Sequence, residues 1–391
     1  MKKWTRKLWI PALTVVCATA FAQGDGIPFG AMTAYPTVGL TIGLDDNVLL
    51  TSANEVDSMV TRLSPGIRLE RDTGATALSI SYEIDAGWYA DSSTDDYVDH
   101  DLRFNLVQQM SEKSEVDISA QLSKAHDRRG SGSRQGDLAN LDLEPDEYTD
   151  AGVDGVFTLG GIGSKGSVEL AGGFMSREYD NNRSYTEDFD RSSNFIGGTF
   201  LWQIQPKTSL LAEVKHTQID YDTNSSLDSD ETRYQLGARW DATAKTSGTV
   251  KIGRLEKNFD SRLAQDFSGT SWELGMAFKP KSYSTVNIAT VRETNESSGF
   301  GDYILTRDMR LGWTHEWSSR LSTSLDASTQ NDEHRGDVRD DDTQKFGVSA
   351  NYQFRRWLTM GAGFHHTSRD SNVGEFEYTQ NTFMFSLEGS L

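Results

Sequence analysis

The sequence predicts an all-β chain, a transmembrane outer-membrane β-barrel of about 18 antiparallel strands with short periplasmic turns and longer extracellular loops. Three observations predict it. Apolar and polar residues alternate almost without pause after residue 37. Turn signals recur about every 38 residues. Aromatic residues gather where the strands would end.

The chain opens with "MKKWTRKLWIPALTVVCATAFA", a basic start, an apolar middle and a small-residue A-x-A site at Ala20–Ala22. Residues 1–22 therefore read as a signal peptide cleaved near Ala22, residues 23–36 as a short periplasmic segment, and 37–391 as the barrel. Cleavage would remove the single cysteine, Cys17, and with it any thiolate or disulfide chemistry. Loss of the leader's four basic residues takes the net charge from −20 to −24, which disfavours nucleic acid as a partner. Beyond the leader there is no run of about 18 apolar residues to form a spanning helix. With 7 prolines against 35 glycines, the composition suits many uninterrupted strands joined by tight turns.

Gly161, Gly163 and Gly166 have the G-x-G-x-x-G spacing of a dinucleotide loop, but the residues after Gly166 lack the period of a helix. Val168, Leu170 and Phe174 alternate with Ser167, Glu169 and Arg177, a strand's period of two, so these glycines are assigned to a turn between strands. The same period is clear at Trp272, Leu274, Met276 and Phe278, and again at Phe346, Val348, Ala350, Tyr352 and Phe354. Short turns are expected near Thr73, Glu112, Gly163, Pro206, Ala244, Pro280, Ser318 and Arg355, with longer loops between them. Strands of about 10 to 14 residues match a tilted membrane crossing and exceed those of soluble sandwiches.

Trp202, Trp240, Phe278, Trp317, Phe354 and Trp357 lie beside the short turns, and Trp88, Tyr97, Tyr148, Tyr179, Tyr221, Tyr303 and Tyr378 beside the long loops. They are expected to form two interfacial girdles. The final "FMFSLEGSL" puts Phe383, Phe385, Leu387 and Leu391 on one face, an amphipathic last strand of the kind the barrel assembly machinery recognises, although the usual last residue is Phe or Trp.

Continuing the alternation turns Arg62, Arg68, Glu83, Asp85, Asp99, Asp101, Arg103, Glu213, Lys215, Arg233, Arg239, Lys251, Glu273, Arg310, Asp326 and Lys345 toward the lumen. Such a mixed-charge wall offers weak, multiple sites to a passing solute. The connection from Arg128 to Glu147 is longer than structureless loops usually are. Arg128, Arg129 and Arg134, with Leu138, Leu141 and Leu143, suggest that it folds into the barrel mouth as a constriction, its arginines pairing with Asp99 and Asp101.

Chemistry has little support. The seven histidines, His100, His126, His216, His315, His334, His365 and His366, show no metal-ligand spacing. His365 and His366, with Ser368 and Asp370, have the residue types of a nucleophilic triad, but neighbours in a strand face opposite ways. Acidic loops such as Asp337 to Asp342 lack calcium-loop spacing. Neither a catalytic set nor a cofactor or resident metal is expected.

Residues 35–104 carry "GLDDNV" (Asp45, Asp46, Asn47, Val48), "SPGIRLE" (Pro65, Gly66) and "DDYVDHD". In these motifs the chain resembles the β-barrel porin family associated with exopolysaccharide biosynthesis and export. The resemblance implies an integral outer-membrane protein of a Gram-negative bacterium, a passive conduit or accessory pore for a secreted polysaccharide. Its implied partners are outer-membrane lipid and lipopolysaccharide, the polysaccharide chain, periplasmic export proteins and the barrel assembly machinery. The residues by themselves leave open a general diffusion porin for small solutes and, from another class, an outer-membrane hydrolase or glycan-modifying enzyme.

Overall fold

The computed structural model describes residues 24–141, 143–160, 164–241 and 245–391. The leader, its cleavage site, Asp142, Gly161, Gly163 and Ala244 lie outside the described residues.

Alternate residues of an extended chain face opposite ways, and eighteen stretches of 12–16 residues obeying that rule pair antiparallel in chain order. After a short β1 (Ile27–Phe29) come β2 (Met32–Asp45), β3 (Ser58–Asp72), β4 (Thr76–Tyr89), β5 (Tyr97–Ser111), β6 (Ser114–Asp127) and β7 (Asp146–Leu159). The wall continues through β8 (Gly166–Tyr179), β9 (Arg191–Gln205), β10 (Thr208–Tyr221), β11 (Ser229–Trp240), β12 (Thr246–Phe259) and β13 (Phe267–Lys281). It ends with β14 (Ser284–Glu296), β15 (Tyr303–Glu316), β16 (Leu321–Arg335), β17 (Asp340–Arg355), β18 (Leu358–Ser371) and β19 (Tyr378–Ser390). The last strand pairs with β2, from Thr37↔Ser390 to Asp45↔Thr382, which closes the ring. Closure leaves no open sheet edge, the condition under which strands can cross lipid. Residues 33–36 pair with β3 and not with β19, and Ile27–Phe29 folds back on Met32–Ala34 as a small hairpin beside the seam.

One end of the barrel carries the short turns and the other the longer loops. At the β3–β4 turn, Gly74 adopts a left-handed φ of +82°, and its N–H donates to Asp72 Oδ1 at 2.7 Å. The β9–β10 turn is the pair Pro206–Lys207. Two turns fall later than their sequence signals. Pro280 lies inside β13, where the pairing with β14 shifts between Phe278 and Lys281 and the turn is 282–283; Arg355 ends β17, before a turn at 356–357. Proline removes a ladder donor, so it interrupts the pairing without ending the strand.

The barrel has an apolar exterior and a polar interior. Val38, Leu40, Ile42 and Leu44, then Phe200, Trp202 and Ile204, and Phe383 and Phe385 are all exposed on one face of their strands. The buried apolar clusters are small and lie at the loop end: Val48, Leu49 and Ala139, packed with Val56 and Tyr89, and Ile219, Tyr221 and Leu227, packed with Phe259.

Candidate functional site

The lumen face is identified by reach. Side chains on a convex wall diverge, whereas those on a concave wall converge, so ion pairs between non-adjacent strands mark the inside. Arg239 on β11 reaches Glu169 on β8 at 2.6 Å, Arg233 on β11 reaches Glu293 on β14 at 3.4 Å, and Lys251 on β12 reaches Glu213 on β10 at 3.2 Å. Residues directly opposite across a strand pair share a face, which carries this assignment around the ring.

By that register all sixteen residues from Arg62 to Lys345 assigned to the lumen share the face opposite the exposed apolar set. Many of them are paired along the wall. Arg62 is ion-paired with Asp85, whose other oxygen accepts from Ser64 Oγ at 2.9 Å. Arg68 pairs with Glu70 at 2.9 Å, Arg103 with Asp101 at 2.7 Å, and Arg310 with Asp308 at 2.7 Å. Lys251 sits between Glu213 and Glu273, the latter at 2.8 Å, and Arg233 between Glu231 and Glu293. Asp99 meets His126 Nδ1 at 2.9 Å. Lys215 and Lys345 have no carboxylate within ion-pair range among the described residues. Glu83 stands opposite Asp101, and Asp326 opposite Gly347.

Other lumen groups were not singled out from the sequence. Glu169 and Arg177 belong to the polar face of β8, and extending the alternation would have reached them. Glu231, Lys257, Glu293 and Glu296 fall in two neighbouring groups: Lys257 Nζ meets Glu296 at 2.7 Å, and Glu231, directly opposite Lys257 across the β11–β12 pair, accepts from the Thr294 hydroxyl and shares Arg233 with Glu293.

The 128–145 segment crosses the loop end of the barrel. Arg128 Nε donates to the Val48 carbonyl at 2.8 Å, and its Nη2 pairs with Asp45 at 2.6 Å. Arg129 forms a buried pair with Asp95 at 2.5 Å, and Arg134, fully buried, pairs with Asp146 at 2.9 Å. The expected partners Asp99 and Asp101 are therefore replaced by Asp45, Asp95 and Asp146. The segment lies over the loop rim, and Asp99 and Asp101 sit further down β5, where His126 and Arg103 engage them. Beyond Arg134, Gln135 Oε1 accepts from Arg339 Nη2 at 2.6 Å and from Arg369 Nη1 at 3.1 Å, while its Nε2 meets Ser298 Oγ at 3.4 Å. Ser298, between β14 and β15, lies almost diametrically across the eighteen-strand ring from β6 and β7. Gly130, at φ +80°, lets the segment approach the Leu49 carbonyl, where an added Cβ would fall 1.9 Å from the oxygen. The residue buried on the segment's apolar side is Ala139; Leu138, Leu141 and Leu143 are only partly covered.

The aromatics split differently from the two expected girdles. Beside the short turns, Trp202, Phe278, Trp317, Phe354 and Trp357 are exposed. Of the seven expected at the loop end, only Trp88 is. Tyr97 donates to Asp85, Tyr179 to Asp127 at 2.8 Å and Tyr221 to Glu296 at 2.8 Å, while Tyr148 and Tyr378 lie under the guanidinium groups of Arg177 and Arg369. Tyr303 is buried against Phe259 and Phe267. Tyr97, Tyr148, Tyr179, Tyr221 and Tyr378 share strand parity with lumen charges, so proximity to a strand end does not put them on the lipid face, whereas Tyr303 alternates in step with the exposed Met309 and Leu311 and is covered by those two rings.

His365 and His366 point to opposite faces, and His366 Nδ1 contacts Asn381 Oδ1 at 2.8 Å, so no triad with Ser368 and Asp370 is assembled. Among the described residues no three acidic, histidine or cysteine side chains converge as a metal set.

The family profile described as Putative beta-barrel porin 2 matches residues 21–390. No curated protein matches the chain. The fold is similar to Pseudomonas aeruginosa OpdK with vanillate (TM-score 0.52, 11% identity, 92% of this chain and 99% of that one). It is also similar to P. aeruginosa OccK2 (OpdF) in complex with glucuronate (TM-score 0.51, 10% identity, 92% and 98%). Identities this low bear on the fold and not on the ligand.

Proposed function

The chain belongs to the family described as Putative beta-barrel porin 2, and on that premise we propose that this outer-membrane barrel is a non-enzymatic porin for small polar solutes. The short turns face the periplasm and the longer loops the exterior, as the usual loop asymmetry of such barrels would have it. Outer-membrane lipid and lipopolysaccharide surround it, and the barrel assembly machinery inserts it.

The observation that carries this reading is the 128–145 segment strapped across the mouth above a wall of mixed charge. A solute passing it exchanges hydrogen bonds with a series of fixed groups, none of them forming a deep trap, which is what conduction requires. The strap also argues against a polysaccharide conduit, the function implied by the sequence resemblance. A polymer in transit would have to displace Gln135 from Arg339 and Arg369, and Arg129 and Arg134 from buried carboxylates, at a cost of several kcal/mol for each buried charge left unpaired.

The test is purified barrel in planar bilayers and in liposomes loaded for osmotic swelling. Stepwise conductance, with entry of monosaccharides and exclusion of long oligosaccharides, is expected. Absence of conductance, together with loss of surface polysaccharide on gene deletion, would restore the conduit reading.

A further inference from the structure

Three arginines stand together on the outer face of the loop end. Arg292 on β14 is directly opposite Arg307 on β15, and Arg335 lies on β16, the next strand. Their direction follows from register. Arg292 is opposite Trp272, itself opposite the exposed Ile252, while Arg307 keeps step with the exposed Met309 and Leu311, and Arg335 with the exposed Leu325. Like charges facing each other across a strand pair are destabilising unless something offsets them. Glu333 offsets two of the three, pairing with Arg307 at 2.5 Å and with Arg335 through its other oxygen. Arg292 has no carboxylate partner among the described residues. It donates to the Thr270 carbonyl and lies over the rings of Phe267 and Trp272, 5.6 and 5.7 Å from their centres.

The wall parts at this place. β13 runs on to Phe267, but its pairing with β14 ends at Trp272↔Arg292. Above that pair Thr294 and Glu296 turn inward to Glu231 and Lys257, so β14 recedes and leaves a notch on the outside beside Arg292. Elsewhere the outward rim of the loop end carries acids, as at Asp220 and Asp230 on β10 and β11 and at Asp340 and Asp342 on β17, the last two holding Asn331 Nδ2. In a chain of net charge −20 the three arginines are a local reversal of sign. We infer that the notch seats the phosphorylated headgroup of an outer-leaflet glycolipid, with Arg292 and Arg307 as its cationic partners and the acyl chains running down past Met309 and Leu311. The planar fork of a guanidinium matches phosphate oxygens, and clustered cations at the membrane surface hold anionic headgroups. Met309 is the next residue along that face toward the short-turn end, so the cations stand where the apolar band stops. The site rests on the loop end facing outward, as in the proposed function, and not on what the pore conducts.

Bisphosphorylated lipid A, phosphatidylethanolamine and inorganic phosphate are the probes, each titrated against detergent-purified full-length barrel and read by native mass spectrometry. Lipid A should be retained as a single adduct and the other two should not. Arg292→Gln/Arg307→Gln, in a variant that still migrates as folded barrel, should weaken lipid A by about fivefold or more. Glu333→Gln, which releases Arg307 and Arg335 from their shared acid, should tighten it. Lys124→Gln removes a cation at the loop end of β6 that Glu147 and Asp180 already hold, and should change nothing. Undiminished lipid A binding by the double variant overturns the site, and equal retention of phosphatidylethanolamine or phosphate overturns its preference for a phosphorylated glycolipid. Maleimide labelling of Leu263→Cys on intact cells reports the orientation separately, because Leu263 is exposed in the β12–β13 loop at the same end. Labelling without lipid A binding overturns the site alone, and absence of labelling overturns the orientation on which it rests.

Discussion

Arg239 Nη1 lies 2.6 Å, and its Nη2 3.1 Å, from the two carboxylate oxygens of Glu169, a residue 70 positions earlier in the chain and three strands away around the wall. The pair spans the concave face over β9 and β10, so it belongs to the closed barrel and to no hairpin within it. Glu169→Gln is expected to move ion selectivity toward anions in bilayer recordings. Because Arg239 remains partly exposed, the coupling in a double-mutant cycle with Arg239→Gln should be about 1 kcal/mol by unfolding in detergent.

Replacing 128–145 by a short Gly/Ser turn removes the ties to Asp45, Asp95, Gln135's cationic partners and the Val48–Leu49 cluster together. Single-channel conductance should rise severalfold in a variant that still migrates as folded barrel. Unchanged conductance would leave the strap without influence on the pore.

Trp272, Leu274 and Met276 face outward on β13, and Glu273 faces inward against Lys251. Leu274→Arg places a charge in lipid at a cost of roughly 2 to 4 kcal/mol near the midplane and should reduce the folded fraction on heat-modifiability gels. Glu273→Gln should assemble normally, since Lys251 keeps Glu213. Equal assembly of the two would contradict the register.

Tyr179 is buried at the loop end, and its hydroxyl donates to Asp127. Tyr179→Phe leaves that carboxylate short of a donor and should lower barrel stability by about 1 to 3 kcal/mol, whereas Trp88→Phe, on the exposed outer face, should change it little. Comparable losses would mean that the loop-end aromatics act as a lipid-facing belt after all.

The chain alone determined the barrel class, the approximate strand number and the two faces, because a period of two is a local property that each strand carries in its own residues. It also held the answer for all but one of the loop-end tyrosines: Tyr97 alternates in step with Asp99 and Asp101, and Tyr221 with Glu213 and Lys215, so their inward direction is legible despite their nearness to a strand end, whereas Tyr303 keeps step with the exposed Met309 and Leu311. The partners were not legible. Which carboxylate Arg129 or Arg134 would meet, and that Gln135 would reach Arg339, depend on how far each strand is shifted against its neighbour and how many strands complete the ring. Those quantities exist only when β19 finds β2, because closure of the wall brings side chains from distant strands onto one concave surface.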